Sequence, residues 1–485
     1  MLPAVACFDV VIFDEASQVK PADGIPSLLR AKQAIIAGDS RQLPPTEFFA
    51  KVLDDLPTKG DQDELEALVD EEQSSLDDKV EVPKKRPPAE SFTRDAESIL
   101  FAMDRVLAGQ SRRLLWHYRS RDERLIAVSN AYVYDNSLTT FPAADSADAL
   151  RHVAVHPSRG IRNTTNSPDA EVAEVIALIR EQVALHPDES VGVITFGEAH
   201  QRRIESALEL ALHDDAEFLA ALSANQAEPY FVKNIERVQG DERDAIILTV
   251  GYGKGLDGKL RYFWGPLLQE GGERRLNVAI SRAKRRLTLV TSFTADDVPD
   301  DGHDSAGFKL MYRFLQFMAS NGEELAGGPS RSTTLNAFEI DVRDRLQAAG
   351  LQLDPQVGVG SYRLDFAARH PTLPGRYVLA IEADGASYHS GHVARERDRL
   401  RQTLLEHRGW VFHRIWSTDC FNDAPGEVAK VLEGFNNAVA RDDEADLHLE
   451  KTVAATPSES WTISEGPRIY PLPHFQVGLP ITEYP

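Results

Sequence analysis

Cysteine is nearly absent: Cys7 and Cys420 are the two thiols in 485 residues. They are too few and too far apart for a disulfide framework or a thiolate metal site, and both are expected as buried free thiols beside apolar strands. No apolar stretch approaches the ~20 residues needed to cross a bilayer, and the N-terminus lacks the basic-then-apolar order of a secretion signal. A cytoplasmic protein that does not span a membrane is therefore expected. Positive charge is scarce as well, with 53 Lys and Arg against 76 Asp and Glu and a net charge of −23. Any polyanion-binding surface is therefore left to local patches. Finally, no G-x-x-x-x-G-K-[ST] occurs, which excludes the usual glycine-rich cradle for phosphates. GYGKGLDGK at 251–259 has the glycines and lysines without the Ser or Thr, and is expected to be a turn.

What is present is a set of four short segments in one order: VVIFDEASQ at 10–18, AGDSRQLPPT at 37–46, RVQGDERDAIILT at 237–249 and RRLNVAISRAKRRLTLV at 274–290. The first is an apolar run ending in adjacent carboxylates, which is how a buried parallel strand delivers acids to a metal-bound phosphate. Asp14 is expected to hold Mg²⁺, and Glu15 to position or deprotonate an attacking water. Gln42 follows the strand QAIIAGD in a turn stiffened by Pro44 and Pro45, as suits a γ-phosphate sensor. Arg282 lies in LNVAISRAKRRL, expected to be helical and to lead into the strand LTLVTS; its fork of donors suits a polyphosphate.

These segments resemble motifs II, III, V and VI of superfamily 1 DNA and RNA helicases. Their Asp-Glu-Ala-Ser-Gln and Gln-Gly-Asp-Glu forms resemble the branch that includes the nonsense-mediated-decay helicases. LLWHYRSRDERL at 114–125 resembles that branch's segment whose arginine, here Arg119, reaches the γ-phosphate from the second motor domain. By the same resemblance Gly240 and Glu242 approach the nucleotide, Glu242 through the ribose. The similarity covers approximately residues 8–295. It implies two RecA-like parallel-sheet motor domains, ATP and Mg²⁺ as cofactors, and single- or double-stranded nucleic acid as partner, with DNA the expected form.

Such motors cradle the β- and γ-phosphates with the loop that this sequence lacks. Only seven residues precede the motif II strand, so the expectation is the carboxyl-terminal part of a larger helicase, its first motor domain incomplete and its phosphate loop upstream or on a partner chain. The chain alone should then show little ATPase activity. The alternative is an ATPase-inactive nucleic-acid-binding module.

At 485 residues two to four domains are expected. Residues 1–110 read as the partial first motor domain, interrupted at 51–90 by an acidic, low-complexity surface insertion. Residues 111–320 read as the second, with strands at RRLLW, SVGVITF, AIILTVG and LTLVTS and amphipathic helices at PDAEVAEVIALIREQVAL and EAHQRRIESALELAL. Positive charge concentrates in RRLNVAISRAKRR at 274–286, where a motor would meet a phosphate backbone. A Gly- and Ser-rich linker follows at 321–332.

The chemistry changes over 333–440. FEIDVRDRLQAAG reads as a helix closed by Gly350, with Glu339 near its start. GSYRLDFAAR carries Asp365, and RYVLAIEADG carries Glu382 and Asp384 on one face of a strand, where the three can converge on a divalent cation. With the basic helix and the strand WVFHRIW that follow, this order resembles the PD-(D/E)XK nucleases, most closely the very-short-patch-repair endonuclease branch. The resemblance implies a restriction-endonuclease-like α/β domain, expected to be separable and metal-dependent. The usual Lys two residues after the second acid is Asp384 here; His389 is either its substitute or, beside Tyr388, a structural histidine. The tail at 441–485 has no periodicity and reads as the entry to a further domain.

Overall fold

The computed structural model describes residues 7–45, 96–144 without 108, 149–155, 167–253, 260, 264–322 without 300, 325, 335–358, 362–373, 376–384 and 392–455. The insertion at 51–90, His389, most of the 321–332 linker and residues 456–485 lie outside them.

Two parallel strands come first, β1 (Phe8–Phe13) and β2 (Ala31–Ile36), with Val10 opposite Gln33 and Phe13 opposite Ile36. Between them runs α1 (Pro21–Leu28), whose first residue is a proline where no N–H is needed. Parallel strands are normally covered on both faces. Here Phe8, Val10, Ile12 and Ile35 are exposed. Cys7 is exposed too, unlike the buried Cys420, because the strand it leads into is itself uncovered. Helix α2 (Ile99–Val106) is capped by Ser98, whose Oγ accepts the Phe101 N–H at 3.3 Å.

The chain next builds a five-stranded, all-parallel sheet in the order β3-β7-β6-β4-β5. Its strands are β3 (Leu150–Ala154), β4 (Val191–Thr195), β5 (Phe231–Asn234), β6 (Arg243–Thr249) and β7 (Ala283–Thr291). The apolar runs in β4 and β6 are buried, as in a sheet covered on both faces. The helices of this region are α3 (Arg124–Tyr132), α4 (Asp169–Leu185), α5 (Glu198–Asp214), α6 (Ala216–Leu222), α7 (Gly272–Ile280) and α8 (Ala306–Ala319).

Three expectations for this region are corrected. RRLLW is not a strand: among the described residues its one pairing is a single bridge from Trp116 to Thr139, and Leu114 is 90% exposed. The sheet edge beside β7 is already taken by β3. LNVAISRAKRRL is not one helix, since α7 ends at Ile280 and β7 starts at Ala283, which leaves Arg282 in the turn between them. The basic run is not a free positive patch either. Arg274 pairs with Glu97, Arg275 with Glu236, Lys284 with Glu228, Arg285 with Asp244 and Arg286 with Glu189, so its charge is neutralised within the fold.

The third region opens with α9 (Ala337–Ala348), held by a capping box between Asn336 and Glu339. Its four-stranded sheet, β11-β10-β9-β8, contains β8 (Leu353–Val357), β9 (Leu364–Arg369), β10 (Tyr377–Asp384) and β11 (Val411–Trp416). β8, β9 and β10 run antiparallel, and β10 and β11 parallel. Helices α10 (His392–His407), α11 (Ser417–Asn422) and α12 (Ala424–Ala455) complete it. α12 runs through the expected boundary at 440, so the first part of the tail is helical. The chain divides into two compact units, Met1–Phe435 and Asn436–Pro485.

The endonuclease-like sheet shares a core with the region before it. Phe141 and Ala144, from the preceding region, share one buried cluster with Leu364, Ala367, Ala380, Leu405 and Trp410. The Trp410 indole N–H donates to Pro142 O at 2.9 Å and the Tyr377 N–H to Ala144 O at 3.0 Å. Cutting between the two would expose that core.

Candidate functional site

β1 ends at Phe13 and hands Asp14 and Glu15 to the space beyond its carboxyl end; β2 ends at Ile36 and hands over the turn from Gly38 to Gln42. The two turns touch. The Ala16 N–H donates to Ala37 O at 2.9 Å, and a Cβ on Gly38 would stand 3.0 Å from Ser17 N and 3.1 Å from Ala16 N, tighter than ordinary contact, so the absence of a side chain at Gly38 eases this approach. Glu15 has φ 48° and ψ 41°, in the left-handed region. Such a backbone costs of order 1 kcal/mol or more for a non-glycine residue and is typical of functional positions. The Glu15 N–H donates to Asp14 Oδ1 at 3.0 Å.

Facing residues come from the amino ends of two strands of the second sheet. Glu242 immediately precedes β6 and Arg282 immediately precedes β7, and Arg243 and Ala283 are register partners, which sets the two starts side by side. Arg119 Nε lies 2.6 Å from Glu242 Oε2. Arg282 is 1% exposed, and its Nε donates to Val278 O at 2.9 Å. Burial, and then the Arg119 charge, lower its pKa to about 10, with Glu15 and Glu242 acting in the opposite direction. The Gln239 amide donates to Glu15 Oε2 at 3.4 Å and spans the cleft. Gly240 has φ +86° with open space around it, so its backbone rather than crowding calls for glycine. Glu15, Arg119, Glu242 and Arg282 are thus brought together, and Asp14 stands beside Glu15.

Sequence reasoning missed a second set of groups joining the two sides. Asp39 Oδ2 accepts from the Gln42 amide at 3.0 Å and from the Tyr134 hydroxyl at 2.6 Å. Asn277 Nδ2 donates to Tyr134 Oη at 3.0 Å and to Arg41 O at 3.1 Å. Burial and the Asp39 carboxylate push the Tyr134 phenol upward, so it stays a donor. Among the described residues Ser17 Oγ, Gln42 Oε1 and Asn277 Oδ1 are buried without a hydrogen-bond partner. Buried polar atoms are rarely left so unless a ligand or water completes them. Gln42 was already a candidate, and Ser17, Asp39 and Asn277 lie inside segments already singled out; Tyr134 carried no signal in the sequence.

The cleft therefore offers two guanidiniums, an acid poised at a strand end and an unpartnered amide oxygen, a set suited to a polyphosphate and a water. Asp14 is an exposed oxygen donor. One or two carboxylates completed by substrate phosphates and water are how Mg²⁺ is usually held, so the residues present fit that ion.

The acids of the third region are arranged differently. Asp365 Oδ2 accepts the Ala383 N–H at 2.8 Å, Glu382 Oε1 accepts the Tyr362 hydroxyl at 2.5 Å, and Asp384 Oδ2 lies 2.9 Å from Arg414 Nε as an ion pair. Glu339 uses both oxygens on Asn336, at 2.9 and 2.6 Å. Burial first, then the neighbouring Asp365, lifts Glu382 to about 8; burial first, then its bond from Ala383 and the Glu339 charge in opposite senses, leave Asp365 at about 6. The acids feel one another, yet among the described residues no group of three or more His, Cys, Asp or Glu could hold a metal ion. Asp365, Glu382 and Asp384, expected to converge on a cation, each hold a different neighbour here.

Comparisons with known proteins follow this division. AAA domain family models match residues 2–48 and 97–294, and the REase_MTES_1575 family model matches residues 338–434. The chain is 31% identical over 443 residues to the Uncharacterized ATP-dependent helicase MG140 of Mycoplasma genitalium, a span of 87% of this chain and 36% of that protein. Its Mycoplasma pneumoniae homolog is 31% identical over 442 residues, 88% of this chain and 36% of the relative. The DNA polymerase alpha-associated DNA helicase A of Saccharomyces cerevisiae is 23% identical over 304 residues, 59% of this chain and 39% of that protein. The chain thus spans about 36% of the length of the mycoplasma relatives. Among the described residues no helix is long and apolar enough to cross a membrane.

Proposed function

Because this chain carries superfamily 1 helicase-type AAA domains followed by a restriction-endonuclease-like domain, we propose that it is part of an ATP-dependent helicase acting on nucleic acid, with DNA the expected form. A cytoplasmic role in repair or defence belongs to the same reading. The observation that supports it is the meeting of Glu15, Arg119, Glu242 and Arg282 across one cleft beside the unpartnered Gln42 Oε1.

In this reading ATP lies between the two sides. Gln42 Oε1 accepts a hydrogen from the attacking water, and Glu15 orients that water and takes its proton. Arg282 and Arg119 offset the charge that grows on the γ-phosphate. Arg119 must leave Glu242 to do so, which frees Glu242 for the ribose hydroxyls; Gly240 lets the backbone approach. The exposed ring of Tyr118, next in sequence to Arg119, suits stacking on the base. Mg²⁺, held by Asp14, supplies charge neutralisation on the phosphate oxygens. Closure on ATP and opening after hydrolysis then shift the motor along a strand.

The sequence has no phosphate loop, and β1 and β2 expose Val10, Ile12 and Ile35. The reading therefore includes a further segment, in the same or a partner chain, that supplies the loop and covers these strands. Its absence from the sequence favours the second reading, an ATPase-inactive nucleic-acid-binding module. Phosphate release with and without single-stranded DNA separates the two. The 485-residue chain alone should be nearly inactive and should gain turnover when the loop-bearing segment is added. Turnover of about one per second or faster by the chain alone would remove the loop from the account, and no gain with the segment would support the binding module.

Endonuclease activity through Asp365, Glu382 and Asp384, with Glu339 as a fourth acid, is a separate proposal. It predicts plasmid nicking that needs Mg²⁺ or Mn²⁺, stops with chelator and is lost in Asp365→Asn. Cleavage under none of these metals would leave the domain a targeting module.

A further inference from the structure

The helix α10 ends in a tight turn that aims one arginine out of the endonuclease-like domain. The Arg408 N–H donates to Leu405 O at 2.9 Å and the Trp410 N–H to the same oxygen at 3.2 Å, while Gly409 takes φ +91°. Leu405 and Trp410 are both buried in the cluster shared with Phe141. The backbone on either side of Arg408 is therefore fixed to the shared core.

Arg408 reaches the loop that carries Arg119. Its Nη2 donates to His117 O at 3.3 Å and to Ser120 O at 3.2 Å, and its guanidinium lies 5.4 Å from the centroid of the Phe141 ring. Those two carbonyls bracket Arg119 in sequence. The bracket is closed internally, because His117 Nε2 accepts the Ser120 N–H at 3.1 Å and lies 2.9 Å from Ser120 Oγ. Burial above all, with Arg119, Arg408 and Arg282 nearby, lowers the His117 pKa to about 3, so the ring is neutral and can accept. On the opposite side the Arg121 N–H donates to Lys284 O at 2.8 Å and Ser120 Oγ to Ala283 O at 3.4 Å, next to Arg282. The loop is thus clamped between the strand that follows Arg282 and a side chain of another domain.

We propose that Arg408 is a positioning residue for Arg119: through the carbonyls of His117 and Ser120 the endonuclease-like domain sets the geometry of the nucleotide cleft. This deepens the helicase reading and rests on it for the role of Arg119; the clamp itself does not. Charge-assisted bonds to two carbonyls are stronger and more directional than neutral ones. Nη2 carries two hydrogens and makes both at once, so movement of the domain carries the loop with it.

The test uses the full chain and amide hydrogen exchange at His117, Ser120 and Arg121. Arg408→Met keeps the apolar stem and removes the donors; exchange at these amides should accelerate roughly tenfold or more, the scale of one lost charge-assisted bond. Amides of β9 to β11 should be unchanged, and Arg408→Lys should restore much of the protection. With the phosphate loop supplied, Arg408→Met should lower kcat by about tenfold to a hundredfold, the scale of a displaced catalytic group, with KM little altered. Unchanged exchange at 117–121, or equal acceleration throughout β9 to β11, overturns the proposal. Arg119→Ala separates the two layers: if it leaves hydrolysis intact, the helicase role of Arg119 fails, while the exchange result still decides whether Arg408 holds the loop.

Discussion

In the cleft beside Glu15, carboxylates and guanidiniums face one another with Ser17 Oγ, Gln42 Oε1 and Asn277 Oδ1 left buried and unpartnered. Around Glu382 the acids are each answered from within the domain, by Tyr362, by the Ala383 backbone and by Arg414. Both regions gather charge, but the first leaves buried side-chain oxygens unmet beside its charges, whereas the second gives each acid a neighbour of its own. Unmet buried polarity is costly in a resting protein, so where it persists beside a strained backbone such as that of Glu15 it points to a ligand. Satisfied acids with raised pKa point first to the fold. Substitutions in the cleft should therefore act on rate, and substitutions in the acid group on stability.

The largest effect is expected at Arg282. With the phosphate loop supplied, Arg282→Ala should slow hydrolysis on the order of a thousandfold, as for other arginines acting on a γ-phosphate. Thermal melts run beside the kinetics show whether the loss is selective; a matching collapse of the fold would make Arg282 structural and weaken the contrast. Next is Trp410→Ala, which should cost about 3–5 kcal/mol, because Trp410 is buried in the core shared with Phe141. Denaturation followed on both sides of that core should shift together, and a shift confined to the endonuclease-like strands would restore the separable domain.

A smaller effect is expected from Tyr134→Phe. It removes the hydroxyl shared by Asp39 and Asn277, a bond to a charged group of about 1.5–3 kcal/mol. Because that hydroxyl links the two sides of the cleft, the variant should turn over roughly tenfold more slowly, with a melting temperature lowered by roughly a few degrees.

The smallest is a change of slope. Burial lifts Glu382 from its ordinary 4.5 to about 8, so the folded form binds its proton more tightly than the unfolded chain. That contribution is fully present below about pH 4.5 and is lost as pH rises toward about 8. Glu382→Gln carries no such linkage, and its melting temperature relative to the parent should climb across this window. A flat difference would mean that Glu382 is solvated and free to bind a cation, which erases the contrast with the cleft.

How much of this was legible depended on how local its cause is. β1, β6 and the acids after β1 could be read because a buried parallel strand writes itself as an apolar run, and a carboxylate at its end is conspicuous. Helix α9 could be read from FEIDVRDRLQAAG and the closing Gly350. Arg282 was placed in a helix because AKRRL has good helix formers. What makes it a strand start is pairing with β6 and β3, together with acids at 189, 228 and 244 that are distant in sequence. Those same acids turned a basic run from a docking patch into internal ion pairs. The Asp39–Tyr134–Asn277 link and the Phe141–Trp410 core each join segments far apart in the chain, and no local pattern announces either.

The most direct test of the central claim is the fate of nucleotide in Glu15→Gln with the phosphate-loop segment supplied. If the cleft is an ATP-hydrolysing site with Glu15 acting on the water, the variant should bind ATP as the parent does and lose hydrolysis by roughly a hundredfold or more, the range for a positioned acid or base. Hydrolysis at the parent's rate, with binding equally intact, would contradict the account.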